Sequence, residues 1–228
     1  MNEEKPRQLQ SRWTKALTAR AMAALTRTPA DMDALKSVFG EVAIDGQTYI
    51  DCRGFAPTSA VAGLRLEHVD FSHSPFSYSP LLRARLDGCR LVGVKCTEHV
   101  LSGEYLGCDF TGANLRKTTS STPFRVEGGN FTRADFSGCE IDLAQFHECR
   151  FEETVFKRSY LTLCKFSKCT FLNPVLSDTH TAGCTFIEPT QNMKWYDQKK
   201  KAEMTHIVRQ DAPWLDWHAA GMSDVRIK

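Results

Sequence analysis

With 228 residues, the chain can bury one main core and carry appendages at its ends. Its 29 Lys and Arg against 27 Asp and Glu give a formal charge of +2, and 42% of its residues are hydrophobic. That balance excludes an intrinsically disordered chain and a strongly basic nucleic-acid binder. Residues 1–20 hold no apolar signal-peptide core, and no apolar run approaches the length of a membrane span.

Taken in order, residues 1–40 form a helical segment. Leu9, Trp13, Leu17 and Ala24 fall near one face of a helix over 6–26, with Arg7, Arg12, Lys15 and Arg20 around the rest. Thr28-Pro29 supplies an N-cap and first-turn proline for a second helix through about Phe39. A basic amphipathic helix can bind a membrane or nucleic acid. The preferred reading is an end cap packed on the first turns of residues 41–189, whose strand edges would otherwise be exposed.

Residues 41–189 hold a different rhythm. Ile44, Ile50 and Phe55 mark an imperfect start over 41–58. Stepping by five from Val61 then lands on Leu66, Phe71, Phe76, Leu81, Leu86, Leu91, Cys96 and Leu101. A second run from Val126 meets Phe131, Phe136, Ile141, Phe146, Phe151, Phe156, Leu161, Phe166, Phe171, Leu176, Thr181 and Phe186. Two positions before most of these stops sits a small residue, such as Ala84, Cys108, Ala134 or Cys164. A period of five is neither the 3.6 of a helix nor the 2.0 of a flat strand.

Ala113-Asn114-Leu115, Ala134-Asp135-Phe136 and Cys108-Asp109-Phe110 carry a resemblance to the pentapeptide-repeat family, over roughly residues 59–189. The resemblance implies a β fold, a right-handed quadrilateral β-helix with four pentapeptides per coil and the small and large apolar residues turned inward. Residues twenty apart then stack. The columns read Leu66/Leu86/Leu106/Val126/Phe146/Phe166/Phe186, Phe71/Leu91/Phe110/Phe131/Phe151/Phe171, Phe76/Cys96/Leu115/Phe136/Phe156/Leu176 and Val61/Leu81/Leu101/Ile141/Leu161/Thr181. The register slips by one between Leu101 and Phe110 and recovers by Val126, leaving Tyr105 and Leu106 as alternatives for one inward place. Thr118-Thr119-Ser120-Ser121-Thr122-Pro123 is expected to bulge outward on the fourth side.

Beyond Pro189 the period stops, and residues 190–228 are expected to form a helical, capping segment. A helix over 191–210 with Met193, Tyr196, Met204, Ile207 and Val208 is interrupted by Lys199-Lys200-Lys201. The apolar knot Pro213-Trp214-Leu215-Asp216-Trp217 then caps the last coil. In some family members a C-terminal helix joins two rods, so the resemblance admits a homodimer.

Chemistry is sparse. Most of the nine cysteines occupy the small-residue position, and they read as reduced core residues of a cytoplasmic protein. There are no paired Cys-X-X-Cys units for zinc, no glycine-rich phosphate loop and no nucleophile motif, so neither a metal, a cofactor nor an enzymatic activity is expected. His99 and Glu104 could fall together in inward positions. The preferred reading has the register slip turn them outward.

The surface is left to carry function. The fourth side bears Leu82, Val100, Leu143, Tyr160 and Leu163 where polar residues belong, and these are the candidate partner-binding residues. Either the N-terminal helix, through Trp13 and Leu17, or a partner covers them. The expectation is a non-enzymatic protein-interaction rod, an immunity or self-protection factor of a bacterial cell that blocks or shields one protein partner, such as a toxin. The alternative, a DNA mimic protecting a type II topoisomerase (gyrase) from inhibitors, rests on the best-understood family members. It sits poorly with 15 Asp/Glu and 14 Lys/Arg interspersed over 59–189. A purely architectural module is the third reading. No face is basic enough to bind nucleic acid directly.

Overall fold

The computed structural model describes residues 6–27, 30–59, 62–76, 82–120 and 124–187. Beyond them it gives the backbone of 193–197, 202–206, 215–216 and 226–227. Three short helices, α1 (Pro6–Ser11), α2 (Lys15–Leu25) and α3 (Met32–Phe39), precede a hairpin of β1 (Glu41–Ile44) and β2 (Gln47–Asp51). The single helix expected over 6–26 is broken at Arg12–Thr14, where the Thr14 side chain accepts from the Leu17 N–H and caps a new start. The second helix begins at Met32, capped by Asp31, whose carboxylate accepts from Ala34 N; Thr28-Pro29 lies outside the described residues. At the far end of α3, Gly40 takes a positive φ and closes the helix.

These helices form a lid on the first coil. Trp13 packs edge-on against Phe39 (4.7 Å) and Phe55 (5.2 Å), and its Nε1 donates to Arg53 O at 3.0 Å. Beside it the Arg12 guanidinium donates to both carboxylate oxygens of buried Asp51, at 2.6 and 2.7 Å, and Arg53 donates to them at 2.8 Å. Burial alone would raise the Asp51 pKa, but the two guanidiniums outweigh it and hold the carboxyl well below the usual carboxylate range.

The column itself is a parallel solenoid. On its first face β3 (Arg65–Glu67) pairs with β5 (Ala84–Asp87), which is followed by strands at Gly103–Leu106, Phe124–Glu127, Gln145–His147, Lys165–Ser167 and Thr185–Ile187. The second face opens with β4 (Val69–Asp70) and runs through Arg90, Asp109 and Asn130 to Arg150–Glu152 and Thr170–Leu172. Single bridges from Pro75 to Val175 make the third face, and Val100, Thr119–Ser120, Glu140–Asp142, Tyr160–Thr162 and His180–Ala182 make the fourth. One coil cannot bury a core alone, so each uses its neighbours for both packing and hydrogen bonds.

The expected columns are present among the described residues, which leave out Val61 and Leu81, with one exception at Leu106. Phe110, Phe131, Phe151 and Phe171 stack with centroids 4.9 to 5.1 Å apart, and Phe146, Phe166 and Phe186 do the same at 4.9 to 5.0 Å. The inter-strand spacing sets that distance. Asp and Asn recur one place before the large residue because their side chains close the corner: Asp109 Oδ1 accepts from Thr111 N and Asp135 Oδ1 from Ser137 N. The nine cysteines are buried and free. Burial pushes the thiols of Cys108 and Cys139 up to about 12, which keeps them protonated.

The irregular coil resolves in favour of Tyr105. Leu86 pairs with Tyr105 and Tyr105 with Val126, so Tyr105 is the buried member of the column and Leu106 is only half-buried. The coil loses its residue between Val100, which pairs with Thr119, and Glu104, which pairs with Arg85. It regains one after Ser120. That serine turns inward instead of bulging, its Oγ donating to Asp142 O at 3.0 Å and accepting from Asp142 N at 2.8 Å. Ser121–Pro123 lies outside the described residues.

Past the column, the helix expected over 191–210 is not formed. Met193–Asp197 and Ala202–His206 are antiparallel strands, and Arg226–Ile227 adds to the Thr185–Ile187 strand. Apart from Leu215–Asp216, the Pro213–Trp217 knot lies outside the described residues.

Candidate functional site

Each coil turns its corners with one residue in the left-handed region, two places after the inward side chain. At the corner between the fourth and first faces that place is held by Gly63, Arg83, Gly103 and Gly183, but also by Leu143 (φ 58°) and Leu163 (φ 53°). A left-handed backbone costs a non-glycine residue about 1–2 kcal/mol, a cost that His68, Glu148, Arg158 and Lys168 also bear at other corners. Both leucines are also exposed, at 45% and 56%. They occupy equivalent places in successive coils, because Asp142 pairs with Thr162 immediately before them. Leu163 leans over Gly183, where an added Cβ would lie 2.6 Å from Leu163 Cδ2.

Tyr160, 53% exposed, stands on the adjoining face of the same coil and stacks flat on His180 with centroids 4.8 Å apart. Leu143, Tyr160, Leu163 and His180 therefore make one apolar corner, flanked by exposed Glu140, Asp142 and Lys165. Leu82 and Val100 are half-buried and sit in earlier coils, separated from this corner by Thr119. Sequence reasoning missed His180, which follows Tyr160 at one coil's spacing, and the exposed Leu172 and Val175 on the second and third faces. The N-terminal lid does not cover the corner, since Trp13 is engaged with Phe39 and Phe55 at the opposite end of the column.

His99 does turn inward and is buried, its Nδ1 at 2.7 Å from Thr97 O. Glu104 points out and pairs with Arg85 at 3.0 Å, so no buried His–Glu pair forms. Among the described residues, no three His, Cys, Asp or Glu side chains are grouped to hold a metal ion. No helix among them is long and apolar enough to cross a membrane.

The family described as pentapeptide repeats matches residues 129–168, in eight copies. The chain carries pentapeptide repeats. Solved structures similar to this pentapeptide-repeat column include a trypsin-treated variant of QnrB1, a plasmid-mediated fluoroquinolone resistance protein. That pair shares 14% identity at a TM-score of 0.38, covering 56% of this chain and 64% of that one. Full-length QnrB1 gives 12% identity and 0.31 over 57% of this chain and 76% of that one. HetL, a pentapeptide repeat protein involved in heterocyst differentiation regulation from the cyanobacterium Nostoc sp., gives 12% and 0.28 over 59% and 73%. No curated protein matches the sequence.

Proposed function

We propose that the protein is a non-enzymatic interaction rod whose working surface is the corner formed by Leu143, Tyr160, Leu163 and His180. The observation that carries this reading is the pair of leucines left in water at equivalent corner places of successive coils, beside the exposed Tyr160. Glycine takes the same place at Gly103 and Gly183, so the fold gains nothing from leucine there. An exposed apolar cluster calls for a covering surface, and with the N-terminal lid engaged elsewhere we assign that surface to a partner protein. Blocking or shielding that partner, as an immunity or self-protection factor does, needs no more than this rigid presentation.

A mimic of duplex DNA needs a run of unneutralised carboxylates to imitate the phosphates. Here five outward carboxylates are answered locally: Glu104 by Arg85, Glu98 by Lys117, Glu127 by Arg125, Glu148 by Lys168 and Glu152 by Arg150. The interaction rod is therefore preferred over the gyrase-protecting reading. Replacing Leu143 and Leu163 by Asp tests it. The double variant should keep the wild-type circular dichroism and melting profile, yet lose the protein that wild type and a Leu172→Asp control both retain from the native host. Equal retention by all three would reject the corner.

A further inference from the structure

We infer that the N-terminal edge of the first face is a strand-addition site for an extended peptide of a partner protein, one that reads acidic–apolar–basic in alternate inward and outward places. Along this face the backbone N–H and C=O of the residues flanking each inward side chain bond back to the preceding coil. Arg85 N donates to Leu64 O, and Asp87 O accepts from His68 N at 2.9 Å. Arg65 and Glu67 hold those same flanking places in β3, the terminal strand of its sheet. The chain that precedes it, β2, joins β4 on the second face instead, through Ile50 and Val69. Among the described residues nothing bonds the outward-facing backbone groups of Arg65 and Glu67, so a row of unmet donors and acceptors faces the place a preceding strand would take.

That place is a cleft. It has a volume of about 660 Å³, within the range of about 300–1,000 Å³ of ligand-binding clefts, and Ala30, Met32, Ile50 and Leu66 lie along it. An added strand would set one apolar side chain against half-buried Ala30 and Met32, above the already buried Ile50 and Leu66, with the paired Lys36 and Glu41 alongside. The charges specify its neighbours. Arg65 is in register with Arg85, and Glu67 with Asp87, so like charges stand side by side on each column. Arg85 is answered by Glu104 on its far side, whereas Arg65 and Glu67 make no ion pair among the described residues. A parallel strand with an acid beside Arg65 and a base beside Glu67 completes both columns with opposite charges. The occupant is thus set by the edge, the apolar residues and the two unanswered charges, independently of the leucine corner.

The test uses the full chain and two blocked synthetic peptides, one centred on glutamate–valine–lysine and one with its two charged residues exchanged. Hydrogen exchange should show the Arg65 and Glu67 amides open in the free protein and slowed by the first peptide, which should bind about ten-fold tighter than the second. The paired charge exchange Arg65→Glu with Glu67→Arg should invert that preference, while Leu143→Asp with Leu163→Asp should leave it untouched. Slow exchange at both amides without peptide would overturn the proposal, because the chain or a second copy would already fill the edge. So would binding that ignores the order of the charges, or no binding at all.

Discussion

At the corner between the fourth and first faces, one backbone place is filled by glycine, arginine or leucine, and the three do different things. Gly103 is there of necessity: its φ is 109°, and a Cβ would lie 2.0 Å from Ala84 O. Gly112 also has a positive φ of 63°, but nothing lies within 4 Å of its absent Cβ. Gly112→Ala should therefore cost about 1 kcal/mol of backbone strain, whereas Gly103→Ala should cost at least about 2–3 kcal/mol because the short coil must also open. Urea midpoints of the two variants measure the difference. In the lid, Asp51 is the residue with a pH signature. Its folded pKa lies below its ordinary value of 3.8, so the stability it contributes is complete above that value and is lost as the pH falls through the folded one. The urea midpoint should fall between pH 5 and pH 3 in wild type, with a smaller fall in Asp51→Asn, which starts from a less stable lid. An equal fall in both would place the acid sensitivity elsewhere.

The elements divide into those whose period is readable and those whose period is not. The four columns could be read from the sequence because a five-step repeat forces each large side chain to one side of a square, and Phe131, Phe151 and Phe171 stack accordingly. The choice between Tyr105 and Leu106 could not, since both are large and apolar. It is decided by Gly103, which alone fits beside Ala84. The helix expected over 191–210 failed because five apolar residues scattered over 193–208 fit either element, while Trp195, Tyr196 and Thr205 favour strands. Lys199-Lys200-Lys201 lies outside the described residues. Of the candidate site, Leu143, Tyr160 and Leu163 were legible as misplaced apolar residues, but the separation of Leu82 and Val100 from them was not, because burial at those places depends on the irregular coil. Coil length gives its own test. Glu140, Tyr160 and His180 are in register, so removing residues 141–160 joins equivalent positions and should leave a folded, shorter column by circular dichroism. Removing 141–159 instead leaves one extra residue that must be taken up at a corner, as happens after Ser120, and should lower the melting midpoint below that of the in-register deletion.

For the molecule as a whole, a column of stacked coils with buried thiols and interspersed surface charges has its distinctive features outside: a leucine corner near one end and an unpaired strand edge under the lid at the other. The central claim is that the corner meets a partner protein. Placing a photo-crosslinking amino acid at position 163, and separately at exposed Leu172, tests it most directly in the native host. The account predicts one discrete protein adduct from position 163, absent from position 172 and lost when Leu143 is also changed to Asp. No adduct at 163, or the same adducts from both positions, would contradict it.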